Sequence, residues 1–148
     1  MGLLSFLAKR DGYDLALEHY RQVEGLRDQP DAYLRELREA VKHCQDCIRR
    51  LPTNADAYVL LADAYQLMAT EAEKAGDLDA QDELMSLASA VIHEWTKIPN
   101  GTHNGSRGRE LLAEVAEYHM SLGLSAARAQ SRIVAANISL LNQALGRG

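Results

Sequence analysis

At 148 residues and a formal net charge of −5, the chain is long enough for one domain with its own apolar core. It is too acidic to present the general basic face that nucleic acid or an anionic membrane requires. Ala and Leu dominate, Arg and Glu come next, and aromatic residues and proline are rare, which favours an all-α chain.

The first stretch, M-G-L-L-S-F-L-A-K-R, has an apolar run too short to span a membrane, and its charges follow the run, unlike a signal peptide. Phe6 stands where N-myristoylation needs Ser or Thr. We therefore expect a soluble cytoplasmic protein without membrane insertion. Residues 3–9 predict a short helical lead-in that ends at Asp11-Gly12, and residues 12–23 predict a helix. Gln29-Pro30 breaks the chain, and Asp31 is the expected cap of a long helix over 32–51. Its apolar positions, Leu37, Ala40, Val41, Cys44, Cys47, Ile48 and Leu51, step by three and four.

Pro52 and Thr53 stop that helix, and Asn54 caps the next. From Ala55 to Thr70 only Asp56, Asp63, Gln66 and Thr70 are plainly polar, and they fall on one narrow stripe of a helix. A helix apolar nearly all round must be surrounded by other elements, so this is the expected central helix. It should run to a C-terminal glycine at Gly76. Asp77 should then cap a helix reaching about Lys97, with Leu84, Leu87, Ala88, Val91, Ile92 and Trp95 on its apolar face. Residues 99–108, P-N-G-T-H-N-G-S-R-G, read as a loop. Two helices should follow, over 109–122 and 125–145, split at Gly123. The last has a wide apolar arc (Ala126, Ala129, Ile133, Val134, Ala136, Ile138, Leu140, Leu141, Leu145), which leads us to expect a homodimer through this C-terminal helix.

Pro52, Asn54, Ala57-Tyr58, Leu61-Ala62 and Tyr65 resemble the junction between two tetratricopeptide repeats, where a helix-ending proline precedes an N-A-x-A-W/Y-x-x-L-G/A-x-x-Y helix. The resemblance is densest over 52–99. It is weaker over 12–52, through Gly12, Tyr13, Ala16 and Tyr20 and then Ala40, Cys44 and Cys47, and over 109–145, through Leu111, Val115, Tyr118, Gly123, Ala127 and Val134. It implies a single all-α domain, a TPR-like antiparallel helical repeat array or bundle of about five to seven helices. The interval from Tyr65 to Gly76 exceeds that of a regular repeat, which points towards the bundle.

The resemblance further implies a concave groove faced by Asp56, Val59, Asp63 and Gln66, and by Arg109, Leu112, Ala116 and His119 from the last repeat. Such a groove would take a protein or peptide segment with Lys or Arg beside hydrophobic anchors. Family members that hold a C-terminal carboxylate use Lys and Asn where Val59 and Asp63 stand, so that activity is not expected. The plainer alternative is that Asp56 and Asp63 only solvate the edge of a packed helix.

Little else suggests chemistry. C-x-x-C at Cys44 and Cys47 lies in mid-helix without a strand before it, so core packing is the expectation over redox or zinc chemistry. The five histidines are spread one to a helix or loop, and the acidic run from Glu71 to Glu83 reads as solvated helix ends. No phosphate loop, nucleophile elbow or dinucleotide fingerprint occurs. We expect no enzyme, no cofactor and no metal site, but a protein-interaction module: an adaptor, a small chaperone or an assembly factor. The alternative is a helical-bundle regulatory or metal- and ligand-binding domain that uses the Cys and His residues.

Overall fold

The chain's proline and glycine breaks separate a succession of helices. The computed structural model describes residues 12–98, 105–122 and 137–146. Among them are α1 (Gly12–Gln22), followed by a 3-10 turn at Val23–Leu26, then α2 (Pro30–Arg50), α3 (Ala55–Lys74), α4 (Leu78–Trp95), α5 (Gly105–Ser121) and α6 (Asn137–Ala144). The described residues contain no strand, and no helix among them is long and apolar enough to cross a membrane. The all-α expectation holds. The lead-in over 3–9 and most of the expected last helix lie outside the described residues.

The caps around α3 follow from local chemistry. Asn54 Oδ1 accepts from the Ala57 amide at 3.4 Å. At the other end Gly76 takes φ +77°, a conformation that an L side chain resists. The Asp77 amide then reaches the Ala72 carbonyl at 2.9 Å and the Gly76 amide that of Glu73 at 3.0 Å, a Schellman closure. Asp77 also starts α4, its Oδ1 accepting from the Ala80 amide at 3.1 Å. So short a link can only reverse the chain, and α3 and α4 form an antiparallel hairpin.

Two boundaries differ from expectation. Asp31 is not the cap of α2; Pro30 occupies the first turn, Gln29 sits at the cap without a side-chain bond, and Asp31 serves the helix dipole instead. α5 begins inside the expected 99–108 loop, at Gly105.

α3 is covered on nearly every side. Ala55, Ala57, Tyr58, Val59, Leu60, Leu61, Ala62, Ala64, Tyr65 and Ala69 are all buried. α1, α2, α4 and α5 pack against it, and α4 in turn holds α5 and α6. The end of α6 is held to α3 and to α2 by hydrogen bonds: Tyr65 Oη of α3 donates to the Ala144 carbonyl at 2.8 Å, and Gln45 Nε2 of α2 donates to the same oxygen at 3.1 Å. Leu145 is only 1% exposed and belongs to this core, so it does not serve the outward apolar face expected of the last helix. Residues 123–136, which carry much of that face, are outside the described residues. Cys44 and Cys47 form no disulfide and are buried in the same core, as packing required, and burial pushes the Cys44 thiol well above its ordinary pKa.

Gly108 sets how closely α5 approaches α4. A Cβ built there would lie 2.3–2.7 Å from ring atoms of Trp95, inside any tolerable contact. Gly108→Ala should therefore destabilise by about 1–3 kcal/mol in denaturant unfolding, whereas Gly25→Ala, which meets nothing within 4 Å, should change stability far less. Equal stability of the two variants would contradict the close α4–α5 contact.

Candidate functional site

The polar stripe of α3 turns between α1 and α5. Asp63 Oδ2 accepts from the Tyr20 hydroxyl of α1, and Asp63 Oδ1 accepts from Arg107 Nη2 of α5, both in short contacts. Arg107 Nη2 also reaches Gln66 Oε1 at 3.3 Å, while its Nη1 donates to Glu110 Oε2 at 3.0 Å and Glu114 Oε1 at 3.2 Å. The Asp63 side chain is 14% exposed and that of Arg107 35%. Burial works against the Arg107 charge, but Asp63, Glu110 and Glu114 more than offset it and hold its pKa above the ordinary value. Burial first, and the bond to Asp63 second, push the Tyr20 hydroxyl well above the usual tyrosine range. Asp56 is half-buried and faces the same neighbour: after burial, its charge is the chief cause that raises Tyr13 of α1.

The residues expected in a groove thus divide. Asp63 and Gln66 come together, but on Arg107 of the same chain. Val59 is 4% exposed and packs in the core, so it lines no open groove. On α5, Arg109 and Ala116 point outward, while Leu112 is half-buried against the core and His119 is buried. His119 Nε2 lies 3.1 Å from Ser89 Oγ of α4. Position 119 is therefore a core polar contact, because helical spacing places 112 and 119 on the inner face and 109 and 116 on the adjoining outer one.

Two other places gather side chains that the sequence left apart. One is a cleft of about 620 Å³ between the start of α4 and the end of α5, lined by Glu73, Leu78, Asp79, Gln81, Asp82, Tyr118, Ser121 and Leu122. Leu78 is 65% exposed and Leu122 49%, large values for leucine in a core-forming helix pair. Gln81 Nε2 donates to Glu73 Oε2 at 2.8 Å, and Tyr118 Oη to Asp82 Oδ1 at 3.3 Å, so the rim is partly ordered. None of the lining residues is basic.

The second place joins α1 to α2. His19 Nδ1 and Glu36 Oε2 are 2.5 Å apart. The His19 and His43 rings stack with centroids 5.3 Å apart and planes 7° from parallel. His43 Nε2 lies 3.8 Å from Glu39 Oε2, and one donor atom from each of His19, Glu39 and His43 falls within 4.8 Å of the others. A signal was present: Glu36, Glu39 and His43 share a face of α2 by their spacing. His19 reaches it only through helix pairing, which the linear pattern does not record.

Comparison of the chain with family models, with curated proteins and with solved structures finds no match in any of the three.

The ion pair at Asp63 has a measurable weight. Asp63→Ala leaves Arg107 half-buried without its closest acceptor, and should cost about 1–3 kcal/mol, between the values for exposed and buried pairs. In a double-mutant cycle with Arg107→Ala the two losses should fall well short of additive. Additive losses in denaturant unfolding would mean that the pair contributes nothing.

Proposed function

We propose that the chain is a non-enzymatic protein-interaction module, an adaptor, small chaperone or assembly factor. Its partner segment lies in the α4–α5 cleft, away from the Asp56–Gln66 stripe. The observation that carries this reading is the pair of exposed leucines, Leu78 and Leu122, in a cleft rimmed by Glu73, Asp79 and Asp82. Apolar side chains of this size are left in water at a cost that association removes. A carboxylate rim without a basic lining residue favours a short segment that sets Lys or Arg beside apolar side chains. The tetratricopeptide resemblance of residues 52–99 supports the reading, since that family displays partner segments on helical arrays. Two buried thiols that need no oxidising compartment agree with a cytoplasmic setting.

The expected affinity is modest. Covering a leucine side chain contributes about 1.5–3 kcal/mol, and an exposed charge pair roughly 0–1 kcal/mol. Leucine anchors therefore supply most of the binding and the carboxylates its selectivity. After the cost of association, a dissociation constant on the order of 10 µM is reasonable for a short peptide. Panning a random peptide library on the protein should enrich sequences with Lys or Arg next to Leu, Ile or Phe. Binding of those peptides should weaken by about tenfold or more in Leu78→Lys with Leu122→Lys, a pair of exposed positions that leaves the fold intact. A library without any such enrichment, or peptides that bind the double variant unchanged, would refute the cleft as the binding surface.

A further inference from the structure

Independently of the cleft, we infer that His19, Glu39 and His43 form a binding site for a divalent transition-metal ion, with zinc as the ion of reference. Three donor atoms, two imidazole nitrogens and a carboxylate oxygen, already lie within 4.8 Å of one another. A tetrahedral zinc ion with bonds of about 2.0–2.2 Å needs its ligand atoms roughly 3.3–3.6 Å apart. Small side-chain rotations cover that difference. The groups are free enough to make them, with side-chain exposures of 31% for His19, 25% for His43 and 41% for Glu39.

Glu36 gives the site its orientation. With Nδ1–H of His19 donating to Glu36 Oε2 across 2.5 Å, the lone pair of that ring is on Nε2, where a metal would bind. A carboxylate behind a histidine in this way fixes the tautomer and the ring orientation. The stack with His43 brings together two rings contributed by different helices, and because an imidazole lone pair lies in its ring plane the rings tilt out of parallel to converge on one ion.

Charge and softness select the ion. Among the described residues, the ion pairs of Glu36 and Glu39 go to these histidines alone, so with neutral imidazoles the cluster carries two negative charges. A divalent cation neutralises them. Imidazole donors favour zinc, cobalt, nickel or copper over magnesium and calcium, which prefer all-oxygen ligands. Two histidines and one carboxylate fill three positions of a tetrahedron and leave the fourth for water. Cys44 and Cys47, on the same helix, are fully buried in the core and take no part.

The test is a zinc titration of the full chain, purified without a histidine tag and stripped of metal by chelator. Calorimetry should show one zinc ion per chain with micromolar or tighter affinity, and excess zinc should raise the melting temperature. Cobalt in its place should give the visible absorption of a tetrahedral site. Glu39→Gln, nearly isosteric and half-exposed, should weaken zinc binding about tenfold or more, as should His19→Ala. His93→Ala and Cys44→Ala should leave it unchanged. Absence of saturable zinc binding would overturn the inference. So would binding that survives both Glu39→Gln and His19→Ala, or that is lost in Cys44→Ala.

Discussion

The enclosure of α3 governs this structure. A helix apolar on almost its whole circumference cannot rest on a single partner, and each remaining helix has a place because α3 needs cover there. α4 is tied to it by the Gly76–Asp77 closure, α2 by the short link at Asn54, and α6 by the Tyr65 hydroxyl on the Ala144 carbonyl, an oxygen that Gln45 of α2 also reaches. That leaves the polar stripe. α1 and α5 cover it only because Tyr20 and Arg107 bring a hydroxyl and a cation to Asp63, since a carboxylate removed from water without such partners is costly. One aspartate thus joins three helices that local sequence does not connect.

This closure decides where function can reside. A stripe already satisfied by side chains of its own chain has little to offer a partner, so exposed apolar surface elsewhere becomes the better candidate. Leu78 and Leu122 supply it at the far end of the α4–α5 pair. The histidine cluster depends on the same architecture from another direction. α1 must lie along α2 to cover α3, and that alignment stacks His19 on His43. An ion held there would fasten α1 to α2.

Much of the fold was legible because helix ends and apolar periodicity are local. Asn54, Gly76 and Asp77 act as their residue types require, and the two cysteines pack as their spacing on α2 demands. The site was less legible, for a physical reason. Periodicity tells which face of a helix is polar but not what lies opposite. Asp56, Asp63 and Gln66 were correctly placed on one stripe, and the same pattern fits an open groove and a stripe closed by Arg107. Arg107 was further hidden by its surroundings: G-S-R-G has the composition of a loop, yet Gly108 is there because Trp95 leaves no room for a side chain. His119, by its register, was assigned to a groove and lies beside Ser89 in the core. The pairing of His19 with His43 required the tertiary contact between two helices.

Native-state hydrogen exchange of the α3 amides tests the enclosure most directly. If the central turns of α3 are closed on every side, their amides exchange only through global unfolding. Those of Asp63 and Gln66 on the stripe should then have the same opening free energy as Leu61 and Tyr65 opposite, equal to the stability from denaturant unfolding. Stripe-side amides that open locally, several kcal/mol below global unfolding, would contradict the account and restore the stripe as a solvated edge.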